Sequence, residues 1–499
     1  MNELDFDDVQ GLVRFGFGGL HRACFYLVHV KDAVAARSWL LSANVTTART
    51  LTSPPSTALQ IAFTFEGLKA LGVPSESIEG FAPEFRSGMT GDDSRSRRLG
   101  DVGANDPGHW RWGTCDRTPH LTIMMYAQEG FMQECEAEMK GPSWDDAFEM
   151  LERLPTSHLG EVEPFGFVDG ISQPRIDWEG KRRAVGDQLR FSNVVALGEF
   201  LLGYPNEYGK YTDRPLIAPT SHGANELLSA QDHPDRKDLG RNGTYLVVRQ
   251  LEQDVRGFWQ FVDKAAGSKP EERKRLAEAM VGRAMNGSPL VALRNTPIDG
   301  VGEDEKDRAY NQFTYDADPV GARCPLGSHI RRANPRNADF PNPVKGLISH
   351  LVQTLGFGRK GIRDDLISPT RFHRLLRRGR EYGAGLSPQD ALQPKPPDES
   401  ERGLHFICLN SNIARQFEFV QGAWLMSTKF NGLSDESDPL MGNREAVQGC
   451  PYPNTFSLQR EKSLPERRND LPQFVTVRGG AYFFLPSLRA LRYFATVGS

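Results

Sequence analysis

The sequence predicts an α+β protein made of two ferredoxin-like domains with antiparallel sheets. Three observations carry this: a length of 499 residues, β-rich runs that are each followed by a helical pattern, and the return of that pairing in the second half. A chain this long exceeds what one hydrophobic core usually supports, so two domains are expected, over residues 1–235 and 236–499.

Near the start, Leu12-Val13-Arg14-Phe15 reads as a short strand. Cys24 to Val30 (CFYLVHV) supplies a β-rich run, and residues 32–41 (DAVAARSWLL) place apolar side chains at helical spacing. The pairing returns at Leu121–Ala127, followed by residues 130–139, in which Phe131, Met132, Cys135 and Met139 recur at helical intervals. In the second half Thr244–Arg249 leads into residues 254–265, where Val255, Phe258, Trp259 and Phe261 mark a helix face. Leu404–Leu409 leads into residues 413–425, with Ile413, Phe417, Val420 and Trp424 on one face. Between the halves, residues 155–240 are dense in Gly, Pro, Asn and Asp with little periodicity. A long irregular connection of this kind commonly carries function. The polar stretch at 387–402 reads as a solvent loop.

Hydrophobic and charged contents of 38% and 25% are those of a soluble globular protein. No window approaches the roughly 18 apolar residues of a membrane span. A net charge of −4 and a pI near 6.3 give no general attraction to nucleic acid or anionic membrane. The acidic segment Met1–Asp8 carries neither a basic leader nor an apolar stretch, so a cytoplasmic location is expected. Six cysteines without a Cys-x-x-Cys pair argue against structural zinc, covalent c-type haem and a disulfide scaffold. Assembly as a homodimer is left open.

Four motifs invite a chemical reading. Gly16-Phe17-Gly18-Gly19 lacks the third glycine of a dinucleotide fingerprint, where His21 stands, and no phosphate-binding G-x-x-x-x-G-K-[ST] occurs. Residues 163–174 (EPFGFVDGISQP) enclose one carboxylate, Asp169, among apolar neighbours and between glycines. Apolar neighbours would partly desolvate it and raise its pKa, while the glycines let backbone approach a flat ligand, although Asp-Gly is also a common surface turn. Residues 323–336 (RCPLGSHIRRANPR) set His329, whose neutral imidazole is a good iron ligand, among arginines able to pair with carboxylates; a solvated basic surface is the alternative. Residues 371–383 (RFHRLLRRGREYG) concentrate positive charge around a few apolar positions and fit a short helix or a strand equally.

Taken in order, G-F-V-D-G-I-S-Q-P, R-C-P-L-G-S-H-I-R-R-A-N-P-R and L-R-R-G-x-x-Y-G resemble the dye-decolorising peroxidases, and most closely their larger bacterial members. The likeness continues through residues 8–13, 62–72, 98–101, 109–113, 416–421 and 474–486. It implies one b-type haem in a cavity mainly of the C-terminal domain, and hydrogen peroxide with dyes, phenols or similar one-electron donors as substrates. It implies His329 as proximal iron ligand, Asp169 as distal acid-base group and Arg377 as distal electrostatic stabiliser. Phe167, Gly170 and Ile171 would face the haem, Arg331 would contact a propionate, and Tyr382 would relay electrons. Glu418 and Asp339 are the candidates to accept the second N–H of His329. A haem storage, transfer or sensing protein on the same scaffold is the alternative, needing His329 but not Asp169 with Arg377.

Overall fold

The computed structural model describes residues 4–160, 162–180, 193–291, 310–311, 313–336, 369–446, 450–451 and 453–497. Its first half runs β1 (Arg22–Val30), α1 (Ala33–Ser42), β2 (Thr57–Phe63), β3 (Leu121–Ala127), α2 (Met132–Lys140) and β4 (Phe148–Pro155). The four strands lie in the order β4-β1-β3-β2, all antiparallel. The second half repeats the plan with β5 (Thr244–Gln253), α3 (Val255–Ala265), the short pair β6 (Leu376–Arg377) and β7 (Arg380–Tyr382), β8 (Gly403–Asn410) and β9 (Val475–Leu485). Its order is β9-β5-β8, with β6 and β7 both on the far edge of β8. Each half therefore has the ferredoxin-like arrangement, and the two sheets join where Phe63 of β2 pairs with Phe484 of β9.

The joined sheet is covered on both faces, which explains why its central strands read as unbroken apolar runs. Along β1, Cys24, Tyr26 and Val28 enter one core while Ala23, Phe25 and Leu27 enter the other. In β9 the parity switches partway: Val475 and Val477 share a core with Tyr482 and Phe484. A bulge between Val477 and Gly479 inserts the extra residue that makes this switch. Gly479 is required there, because a Cβ on it would sit 2.5 Å from the ring of the fully buried Trp112.

Two elements differ from their sequence reading. Leu12-Val13-Arg14-Phe15 is not a strand: the N–H groups of Val13 and Arg14 bond back to Gln10 and Gly11, winding a 3₁₀ turn over Gly11–Val13. The helix face at Ile413, Phe417, Val420 and Trp424 is buried as expected. Its backbone, however, is π-wound through Ala414–Glu418 and Val420–Leu425, with Glu418 N–H bonded to Ile413 carbonyl. Among the described residues no helix is long and apolar enough to cross a membrane.

Candidate active site

The irregular segment after β4 is ordered by its own backbone. Glu163 N–H donates to Phe167 carbonyl, and the Glu163 carboxylate accepts N–H bonds from Phe165 at 3.0 Å and Phe167 at 3.1 Å. Gln253 of β5 donates to the same carboxylate at 2.8 Å, and Trp259 of α3 donates to Phe165 carbonyl at 3.1 Å. Trp259 is thus a core anchor for this loop. Gly170, at φ +77°, turns the chain directly after Asp169.

The loop presents Asp169 to a cavity that Phe167 and Ile171 also line, while Gly170 is exposed and outside the lining. Arg377 reaches the same cavity from β6, where strand alternation decides its direction. Leu376 is buried in the opposite core, and Arg378 donates to the carbonyls of Leu12 and Val13 at 2.8 and 3.1 Å. Arg377 Nη1 lies 3.1 Å from Asp169 Oδ1, and Nη2 donates to Ser172 carbonyl at 3.3 Å. Gln173 accepts the backbone N–H of Arg377 at 3.0 Å, so the motif holds its arginine by backbone and side chain together. Burial acts to raise the Asp169 carboxyl, but the Arg377 charge and the Gly170 N–H hold it below the ordinary aspartate value.

His329 opens the short helix α4 (His329–Ala333) and lines the cavity as well. Its Nδ1 lies 3.0 Å from Oδ2 of Asp438, which is fully buried and accepts Leu440 and Met441 N–H groups through Oδ1 at 2.9 and 2.8 Å. Burial alone would raise the Asp438 carboxyl; His329, the Met441 N–H and the Arg332 charge bring it below its usual value. With Nδ1 engaged, Nε2 is the nitrogen left for a metal.

This partner corrects the sequence expectation. Glu418 is turned elsewhere, accepting from Tyr482 hydroxyl at 2.9 Å and pairing with Arg95 at 2.9 Å. Asp339 lies outside the described residues. Asp438 was missed because its one local signal, an Asp-Pro turn, says nothing about a histidine 109 residues away. Arg331 is likewise not on the cavity: its guanidinium is buried against Asp318 at 3.1 Å, Cys324 carbonyl at 2.7 Å and the Tyr315 ring.

The rest of the lining combines apolar walls from Val281, Leu404, Phe406, Phe417, Leu440 and Val475 with cations at Arg249, Arg283 and Arg374. A flat apolar group bearing carboxylates, with a metal that accepts imidazole, fits this donor set. Tyr382 is not part of the lining. It is buried on β7 against the His405 ring, with its hydroxyl 2.8 Å from Glu401.

No family model matches the chain. A multifunctional dye peroxidase of Amycolatopsis sp. is 32% identical over 343 residues, an alignment that spans 66% of this chain and 60% of that protein. Peroxidase 2 of Mycetinis scorodonius is 27% identical over 516 residues, covering 98% of this chain and 87% of that one. Among solved structures, a DyP-type peroxidase of Anabaena sp. superposes with a TM-score of 0.69 at 21% identity, covering 98% of this chain and 94% of that one. A fungal DyP-type peroxidase of Auricularia auricula-judae superposes with a TM-score of 0.71 at 23% identity, with both chains fully covered. At these identities the structural likeness is one of fold.

Proposed function

We propose that the chain, which is similar to dye-decolorising peroxidases over its length, is itself a peroxidase of that family, and that its cavity holds one b-type haem on His329 Nε2, with Asp169 and Arg377 acting on hydrogen peroxide. One observation carries this reading. Asp169 and Arg377, 208 residues apart in sequence, meet at 3.1 Å on the wall of a cavity that His329 also lines.

When bound, the haem supplies the iron and ring that take up the oxidising equivalents of peroxide. The chain's own task is to move a proton and steady a charge. Peroxide must lose a proton from one oxygen and regain it on the other before its O–O bond breaks heterolytically. Asp169, kept ionised by Arg377, accepts the first and returns it, a role typically worth ~10² to ~10⁴ in rate. Arg377 stabilises negative charge on the departing oxygen, worth ~10² to ~10³ by analogy with other preorganised donors. Asp438 keeps His329 oriented and basic. A solved dye-decolorising peroxidase, 23% identical, is in complex with 2,6-dimethoxyphenol, and small phenols of that kind are the donors proposed for the cavity.

Stopped-flow mixing of the haem-loaded protein with peroxide tests the reading, beside Asp169→Asn and Arg377→Leu. Both variants should bind haem and react far more slowly. Near-native peroxide reaction in both overturns the assignment, whereas a haem-loaded wild type inert to peroxide favours storage or sensing.

A further inference from the structure

How electron-rich Asp438 makes His329 depends on every charge that faces the carboxylate, not on the imidazole alone. Two guanidiniums stand behind it. Arg332, one turn after His329 in α4 and fully buried, gives its donors to main-chain carbonyls: Gly327 at 3.2 Å, Trp424 and Ser427 at 2.9 Å each, and Glu436 at 2.7 Å. Arg444, half-buried, grips the Asp438 turn itself. It donates to the carbonyls of Asp438 at 3.0 Å, Pro439 at 2.8 Å and Pro472 at 3.3 Å, and to the Ser437 hydroxyl at 3.0 Å.

Among the described residues neither arginine makes an ion pair with a carboxylate, so their charge acts through space. Burial pulls the Arg444 pKa down to about 10, against Asp438, which favours the cation. Arg332 is lowered by burial as well, with Asp438 and then Glu436 favouring its charged form. Both remain cations at neutral pH. Burial raises the Glu436 carboxyl, which leaves Asp438 as the better-ionised acid of this region. One buried negative charge therefore faces three partners: the His329 ring, Arg332 and Arg444.

We propose that Arg332 and Arg444 are positioning residues of the His329 side, which draw the charge of Asp438 away from the imidazole and so make the iron of a bound haem a stronger oxidant. The proposal rests on the reading of His329 as the haem ligand. A carboxylate facing the imidazole alone pulls the Nδ1 proton toward itself and leaves a ring close to imidazolate, which donates strongly to iron and lowers its potential. With two cations behind it the carboxylate is a weaker base, the proton stays on Nδ1, and the ring donates as a neutral ligand. The substrates that gain are aromatic donors that are hard to oxidise.

The test combines a spectroelectrochemical titration with resonance Raman detection of the iron–imidazole stretch in the reduced, haem-loaded protein. Arg444 is the residue to change, because Arg332 joins three chain segments and its loss endangers the fold. Arg444→Gln should lower the iron reduction potential and raise the stretching frequency, whereas Arg444→Lys, which keeps the charge, should stay at the wild-type values. In an Asp438→Asn background the frequency should no longer respond to Arg444→Gln. The wild type gives a reading that needs no variant: its frequency should lie with neutral imidazole complexes of haem. A wild-type frequency at the imidazolate end, an unchanged frequency in Arg444→Gln, or equal changes in Arg444→Gln and Arg444→Lys overturns the proposal with the haem reading intact. If the iron–imidazole band survives in His329→Ala, the haem reading and the proposal fall together.

Discussion

Asp438 holds His329 from behind: Oδ2 of the buried carboxylate is 3.0 Å from Nδ1, and its other oxygen is tied to two backbone N–H groups. A carboxylate fixed at both oxygens constrains the ring's orientation and makes Nε2 more electron-rich. Asp438→Asn keeps the shape and removes the charge. The haem-loaded variant should show a raised iron reduction potential in a spectroelectrochemical titration, with metal-site affinity or activity lowered ~10- to ~100-fold. An unchanged potential would remove Asp438 from the account.

The adjacent arginines of β6 and its exit make separable predictions. Arg377 contacts Asp169 and Ser172 on the cavity side, whereas Arg378 ties the strand end to the carbonyls of Leu12 and Val13. Arg377→Leu should slow the peroxide reaction with little change in melting temperature. Arg378→Leu leaves two carbonyls without their charged donor, a loss of about 1.5–3 kcal/mol for each hydrogen bond to a charged group. It should melt earlier and react with peroxide at the wild-type rate. A matched loss of peroxide reactivity in both would mean that the strand alternation does not assign their roles.

What the sequence made legible follows from the range of the interactions concerned. Helix faces such as Val255, Phe258 and Trp259, and β-rich runs such as Cys24–Val30, announce themselves because burial repeats within a few residues. The segment at 371–383 carried no such announcement, since β6 and β7 are two and three residues long and alternate only once. The 3₁₀ turn at Gly11–Val13 is apolar like a strand but satisfies its N–H groups locally. The site is legible where one motif holds its own geometry, as Asp169, Ser172 and Gln173 do around Arg377. It is not legible where two distant loops meet, as at His329 and Asp438, because a single sequence holds no record of which carboxylate faces which histidine.

The pH dependence of the peroxide reaction should have its acid limb below the ordinary aspartate pKa of about 3.9. The sign follows from Arg377: a neighbouring cation favours the carboxylate, so Asp169 stays a base as pH falls and is protonated only below its usual value. In Arg377→Leu that support is gone, burial dominates, and the limb should move to higher pH. The check is the second-order rate of the peroxide reaction against pH for both proteins. A limb that stays in place, or moves down, contradicts the electrostatic coupling of the pair.

Glu163 leads to a prediction of opposite sign, read in stability. Burial pushes its pKa up to about 7, against the Phe165 N–H, the Gln253 amide and the Phe167 N–H, all of which favour the charged form. An unfolded glutamate titrates near ~4.3, so between that pH and about 7 the folded chain holds a proton that the unfolded chain has released. Its contribution is therefore fully present below ~4.3 and is lost as pH rises through about 7. Glu163→Gln cannot titrate, so subtracting its melting curve from that of the wild type isolates the effect from every other group. The wild type should lose ground to Glu163→Gln steadily across that window and level off above it. A difference curve flat from acid to neutral pH would mean that the loop carrying Asp169 is held by a carboxylate that is already ionised. Protonation of Glu163 would then play no part in positioning the Asp169 loop.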